Sequence, residues 1–241
     1  MPAKGIQELR PALIAIGFLA MPAMLFDFQL KAETLLAGFF AAFAVYLADH
    51  LLPAGNKGTW PLIGLCSTAF AGFAWRSQQF SFPGLLFYIF LALVYVLPLL
   101  PGKKRLQDIP ILRVIAIVTG WACIPMLLMP FPYRVASVIY LVGVSAFMFP
   151  AVLWSDLADR GEDQKSGRLT WSTQLQTQKR TSLILCTLLL SGLCFSLPGL
   201  RIMLPAPLLY LFNISRLNRH PHHSDWVLLW PFIGSFSLLL F

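Results

Sequence analysis

Nine apolar stretches, roughly 10–27, 33–53, 59–76, 82–101, 109–131, 134–154, 181–199, 201–217 and 225–241, leave this chain few folds to choose from. Each is near the length that a helix needs to cross about 30 Å of hydrocarbon. That layer holds no water to satisfy peptide groups, so segments this apolar close their hydrogen bonds internally, as helices. The expectation is an all-α, polytopic membrane helix bundle of about nine transmembrane helices, forming one domain over residues 1–241. Some stretches are parted only by a turn (Pro132-Tyr133, Pro198-Gly199), and 201–217 carries Pro205 and Pro207, so eight crossings stay open as an alternative. Only 12% of residues are charged and the mean hydropathy is +0.73. A soluble domain carries about twice that share of charge. No internal repeat or low-complexity linker interrupts the pattern.

Orientation follows from the cations. With the N-terminus in the cytoplasm, that side receives Lys4, Arg10, Lys57, Lys103, Lys104, Arg105, Arg113, Arg160, Lys165, Arg168, Lys179, Arg180, Arg216 and Arg219. The other side receives Lys31, Arg76, Arg134 and Arg201. Fourteen of the 18 basic residues on one side is a strong positive-inside bias. The chain is therefore expected in the cell (inner) membrane, multi-pass, with a cytoplasmic N-terminus and the lipid bilayer as its surroundings. The net charge of +8 speaks for topology. No nucleic acid is expected as a partner, because the cations do not gather with aromatics in a polar segment. Cys66, Cys123, Cys186 and Cys194 lie in apolar runs without a C-x-x-C, and read as buried free thiols. The N-terminal run lacks a convincing small-residue cleavage site, so the first helix is expected to be retained.

The polar exception is Ser155–Thr170, S-D-L-A-D-R-G-E-D-Q-K-S-G-R-L-T, directly after the sixth stretch. Asp156, Asp159 and Asp163 are spaced i, i+3, i+7, and on a helix they fall within about a 60° arc. Carboxylates at the mouth of a membrane helix are costly, since each gives up hydration and repels its neighbours. They are also the usual ligands for a hard cation that carries a substrate's phosphates. A solvated mixed-charge loop is the alternative, with Arg160, Lys165 and Arg168 interleaved among the acids. The polar segment to Thr181 is long for a connection within a bundle, and its Thr170-Trp171-Ser172 with Gln174, Gln176 and Gln178 reads as a partly helical return.

Lesser features lie on the same expected side. Asp49 closes the second stretch in A-V-Y-L-A-D-H-L-L-P, as a ligand or as a snorkelling or capping residue. Lys103-Lys104-Arg105 follows L-P-L-L-P-G and is either a topology determinant, a contact for anionic lipid, or an anchor for a diphosphate. His220, His222 and His223 invite a metal reading, which Pro221 and Arg219 disfavour against a hydrated loop.

Together these residues resemble the UbiA superfamily of intramembrane prenyltransferases. That family has nine helices and aspartate-rich motifs after the second and the sixth. Its second motif looks like N-D-x-x-D-x-x-x-D-x-x-x-G, then a basic residue and Thr or Ser. Here Ser155 stands for the Asn, Asp156, Asp159, Asp163, Gly167 and Thr170 match, and Arg168 supplies the basic residue. Lys103-Lys104-Arg105, with Tyr95 and Pro98 upstream, is similar to the family's basic diphosphate-binding stretch. The first motif departs: positions 45, 46, 49 and 53 hold Val45, Tyr46, Asp49 and Pro53, so one acid of three survives, and the basic residues that follow reduce to Asn56-Lys57.

The resemblance implies an Mg2+-dependent enzyme that moves an isoprenyl group from an allylic isoprenyl diphosphate to a lipophilic or aromatic acceptor. Asp156, Asp159 and Asp163 would hold the metal with Asp49 facing them. Asp159, Asp163 and Asp49 would be the catalytic carboxylates, and Lys103, Lys104 and Arg168 would take the diphosphate. At most one Mg2+ is expected to bind firmly without substrate, because Asp49 alone is a poor second site. Tyr46, Trp121, Phe149 and Trp154 could face a developing cation, although ordinary packing explains them as well. A terpene cyclase or prenyl-diphosphate lyase on the same scaffold is an alternative, as is a non-catalytic isoprenoid- or lipid-binding membrane protein.

Overall fold

A computed structural model describes residues 12–20, 29–51, 59–101, 105–124, 135–158, 160–161, 170–197 and 200–219. The described residues are built of helices, with no β-strand among them. They are α1 (12–20), α2 (Ala32–Leu51), α3 (Thr59–Ser77), α4 (Phe82–Val96), α5 (Pro110–Cys123), α6 (Val135–Ala158), α7 (Thr177–Phe195) and α8 (Pro205–Arg219). One-turn helices at Leu106–Asp108, Trp171–Gln174 and Arg201–Met203 precede α5, α7 and α8. The all-α expectation holds. Two helices, over Ala32–Asp49 and Val138–Ala158, are long and apolar enough to cross a membrane, and α4 and α5 are apolar but shorter. The ninth stretch, 225–241, lies outside the described residues.

The helix ends differ instructively from the apolar stretches. Pro205 and Pro207, which weakened the eighth stretch, fall at the start of α8, where a missing N–H costs no helical bond. Pro110 opens α5 in the same way. The sixth stretch was expected to end at residue 154, yet α6 runs on to Ala158, since Ser155-Asp156-Leu157-Ala158 contains no helix breaker. The seventh begins at Thr177, a turn before its apolar part.

The chain clusters into two units. The first includes Met1–Ala92. In it α2 and α3 run antiparallel, with Phe40 stacked on Phe73 at 5.8 Å between ring centres. Ala44, Leu47 and Cys66 form the core there, covered by Phe40, Phe43 and Ile63. Leu19 of α1 fills the place that a side chain at position 38 would need, so Gly38 is what lets α1 lie against α2. A polar knot ties the far end. The Lys31 ammonium donates to the Ser77 carbonyl at 2.9 Å, a cation at a helix C-terminus, where the macrodipole favours one. Gln79 accepts from the Lys31 N–H and the Thr34 hydroxyl, and donates to the Gln29 carbonyl at 2.6 Å. Gln78 turns this corner with φ of 53°, a left-handed conformation that few non-glycine residues adopt.

The second unit includes Leu93–Cys123 and Phe131–Trp230. Its centre is α6. Helix α7 crosses it antiparallel at Gly143, whose carbonyl accepts from the buried Ser191 hydroxyl at 2.9 Å. Helix α8 runs parallel to α6, with Tyr210 against Phe147 (5.2 Å) and Trp154 (5.0 Å). Close approach through a small residue and a hydrogen bond is how helices associate where lipid offers no hydrophobic drive between them. A Cβ at position 143 would lie 2.6 Å from Phe195 and 2.9 Å from Cys194. Gly143→Leu is therefore expected to cost about 1–3 kcal/mol by overpacking, read as a lower thermal midpoint in detergent, with Gly143→Ala losing less.

The outward faces are apolar. Leu185, Leu189 and Leu193 make one stripe on α7; Phe82, Leu86, Phe90 and Leu93 make one on α4; and Phe212 on α8 is 84% exposed. A soluble monomer rarely displays faces of this extent. All four cysteines are free; Cys66 is buried as expected, but Cys186 is exposed, because it sits on the outward side of α7.

Candidate functional site

Because α7 is antiparallel to α6 and α8 is parallel to it, one end of the second unit collects the start of α5, the end of α6, the start of α7 and the end of α8. Arg105, Arg113, Arg160, Lys179, Arg180, Arg216 and Arg219 lie at that end and Arg201 at the other. The cations that sequence placed on one side of the membrane are thus gathered by the packing of this unit.

Asp156 stands in the last turn of α6 and is 1% exposed. Its Oδ1 lies 3.4 Å from Nη2 of Arg113, itself nearly buried, in the first turn of α5. A carboxylate removed from water costs several kcal/mol unless an opposite charge compensates it, and Arg113 supplies that charge. The start of α5 is itself fixed by charge. Arg105, third of the basic triplet, clasps Asp108 through its backbone N–H (2.8 Å) and its guanidinium (2.9 Å), closing the turn before Pro110.

Thr170, the last residue of the motif, is also 1% exposed. The turn that follows packs on α6, with Trp171 edge-on to Phe149 at 5.8 Å. The described ends of the motif therefore both sit against α6. Trp154 is fully buried and donates from its indole N–H to the Asn218 amide oxygen at 3.1 Å, which joins α6 to α8. Trp154 and Phe149 are thus engaged in packing. Arg180 opens α7 in the same region; burial, and secondly the nearby Arg160 guanidinium, pull it below the usual arginine range. Two guanidinium groups close enough to repel one another, with the positive end of a helix, make this a favourable place for an anion.

The remaining expected site residues divide as follows. Asp49, partly buried in α2, belongs to the first unit and Asp156 to the second. Asp159, Asp163, Lys103, Lys104 and Arg168 lie outside the described residues, as do His220, His222 and His223. Among the described residues no three His, Cys, Asp or Glu side chains gather into a metal-holding group. The donor chemistry of Asp156 fits Mg2+, a hard cation that prefers carboxylate oxygen, but its charge is already offset by Arg113. Arg113 is the residue that sequence reasoning passed over. Its signal was present: a lone cation in P-I-L-R-V-I, inside an apolar run, where ionisable groups mark partners or sites.

Comparison of the chain with family models, characterised proteins and solved structures finds no match.

Proposed function

We propose that this chain is a multi-pass membrane enzyme of the UbiA type, with a cytoplasmic N-terminus. In this reading it transfers an isoprenyl group from an allylic diphosphate to a lipophilic or aromatic acceptor with the help of Mg2+. The observation that carries the reading is the buried Asp156–Arg113 pair, which opens the D-x-x-D-x-x-x-D motif inside an apolar bundle. Buried ions among apolar helices are expensive, and in membrane proteins they mark sites. The cation-rich end of the second unit and the outward apolar faces add support, the first for an anionic substrate and the second for lipid surroundings.

Asp156, Asp159 and Asp163, with Asp49, would hold the metal. When bound, Mg2+ supplies charge that offsets the departing diphosphate. Lys103, Lys104 and Arg168 would bind its remaining oxygens as fixed positive charges, which do not need to reorganise as negative charge develops. The surrounding helices keep water from the reactive end of the isoprenoid.

The test is purified protein with Mg2+ and a panel of allylic diphosphates, scored for diphosphate release with and without acceptors. Acceptor-dependent release supports the transferase. Release without acceptor points to a cyclase or lyase on the same scaffold. The loss of first-motif acids at positions 46 and 53 favours a non-catalytic isoprenoid-binding protein as the second reading; saturable binding with no release across the panel would establish it.

A further inference from the structure

We propose that Arg113 is a positioning residue that holds the Asp156 carboxylate inside the bundle and exchanges it for a divalent cation only when a diphosphate arrives to take the guanidinium. This rests on the function proposed above. Asp156 is 1% and Arg113 12% exposed, and 3.4 Å separates their charged atoms. That is longer than a tight charge-assisted hydrogen bond of about 2.8 Å, so the pair compensates charge without the closest bonding geometry. Neither partner can be left alone at low cost, since an uncompensated buried ion is strongly destabilising. A cation that displaces Arg113 from Asp156 therefore strands a guanidinium unless an anion accompanies it. A diphosphate is such an anion, and the pair lies at the end of the second unit where Arg160 and Arg180 already favour one. Each state then has its charges matched: Asp156 with Arg113 in the substrate-free protein, Asp156 with the divalent cation and Arg113 with the diphosphate in the complex. Cation and diphosphate must consequently strengthen one another's binding by the same factor, because the coupling is reciprocal.

The experiment measures Mn2+ binding to the full chain in detergent, by electron paramagnetic resonance of free Mn2+, with and without inorganic diphosphate. In the wild type, diphosphate should raise Mn2+ affinity about tenfold or more. Arg113→Gln removes the competing charge, so it should bind Mn2+ about tenfold more tightly without diphosphate and lose most of the coupling. Arg113→Lys keeps the charge and should retain the wild-type pattern. A merely structural Arg113 would lower the thermal midpoint in Arg113→Gln while leaving Mn2+ affinity and coupling unchanged, and that result overturns the proposal. If Arg113→Gln does not fold, coupling retained by the wild type and Arg113→Lys supports the proposal, and absence of coupling in the wild type overturns it. Wild-type protein that binds neither Mn2+ nor diphosphate refutes the proposed function and this inference together. Wild-type protein that binds both, with an unaltered Arg113→Gln, refutes this inference alone.

Discussion

Arg113→Ala is expected to lower the stability of the second unit by about 3–5 kcal/mol, because it leaves the Asp156 carboxylate buried without its counter-charge. The size comes from asymmetry. A buried ion pair contributes little net stability when both partners are present, but losing one exposes the whole desolvation cost of the other. Asp156→Ala should cost a similar amount for the same reason. The double replacement Arg113→Met with Asp156→Leu removes both charges and fills the space with apolar atoms, and should return most of the lost stability. Thermal unfolding in detergent, followed for the two single variants and the double variant, checks this. Two single losses that simply add in the double variant would show that the residues do not act as a pair. The double variant also separates stability from function: it should fold, yet release no diphosphate.

The second large effect concerns the acids beyond the described end of α6. Asp159→Ala and Asp163→Ala are each expected to reduce diphosphate release by more than about a hundredfold, since even loss of an outer-shell partner costs roughly 10–100-fold at a metal centre. A missing ligand removes both an oxygen and a charge, and no neutral neighbour replaces them. Expression and thermal midpoint measured in parallel should stay close to wild type, which distinguishes this loss from the folding defect at Asp156. Unchanged turnover in both variants would exclude the assigned role. The contrast within one motif is informative: its first acid has both a structural and a functional consequence, while the other two are expected to have the functional one.

The helices were legible because lipid allows an apolar segment so little choice; every described long helix overlaps one of the apolar stretches. Their ends were not. Hydropathy stops α6 at Trp154, but Asp156 stays within the helix with Arg113 as its partner, and a one-dimensional profile does not show who that partner is. Pro205 and Pro207 argued against a helix by residue type and permitted one by position, at its first turn. The candidate site divides along the same line. The spacing of Asp156, Asp159 and Asp163, and Thr170 as the motif's end, could be read directly. Arg113 could be read only as an anomaly, since its meaning depends on a contact across more than forty residues of chain. The proximity of Arg160 and Arg180 is tertiary in the same way.

Helix α6 contains Pro150, between the Gly143 crossing and Asp156. Its ring leaves the Ala146 carbonyl without the N–H that would normally close that turn. A helical rod missing one rung bends more easily there than elsewhere. The upper part of α6 is pinned by α7 at Gly143 and Ser191, whereas the part beyond Pro150 is held by the ion pair and by the Trp154 link to Asn218. The helix is therefore compliant at one defined point, and the stiff half serves as the mounting for the other. An exchange of charge at Asp156 can be absorbed as a small tilt of less than two turns, without disturbing the close-packed crossing that holds the unit together.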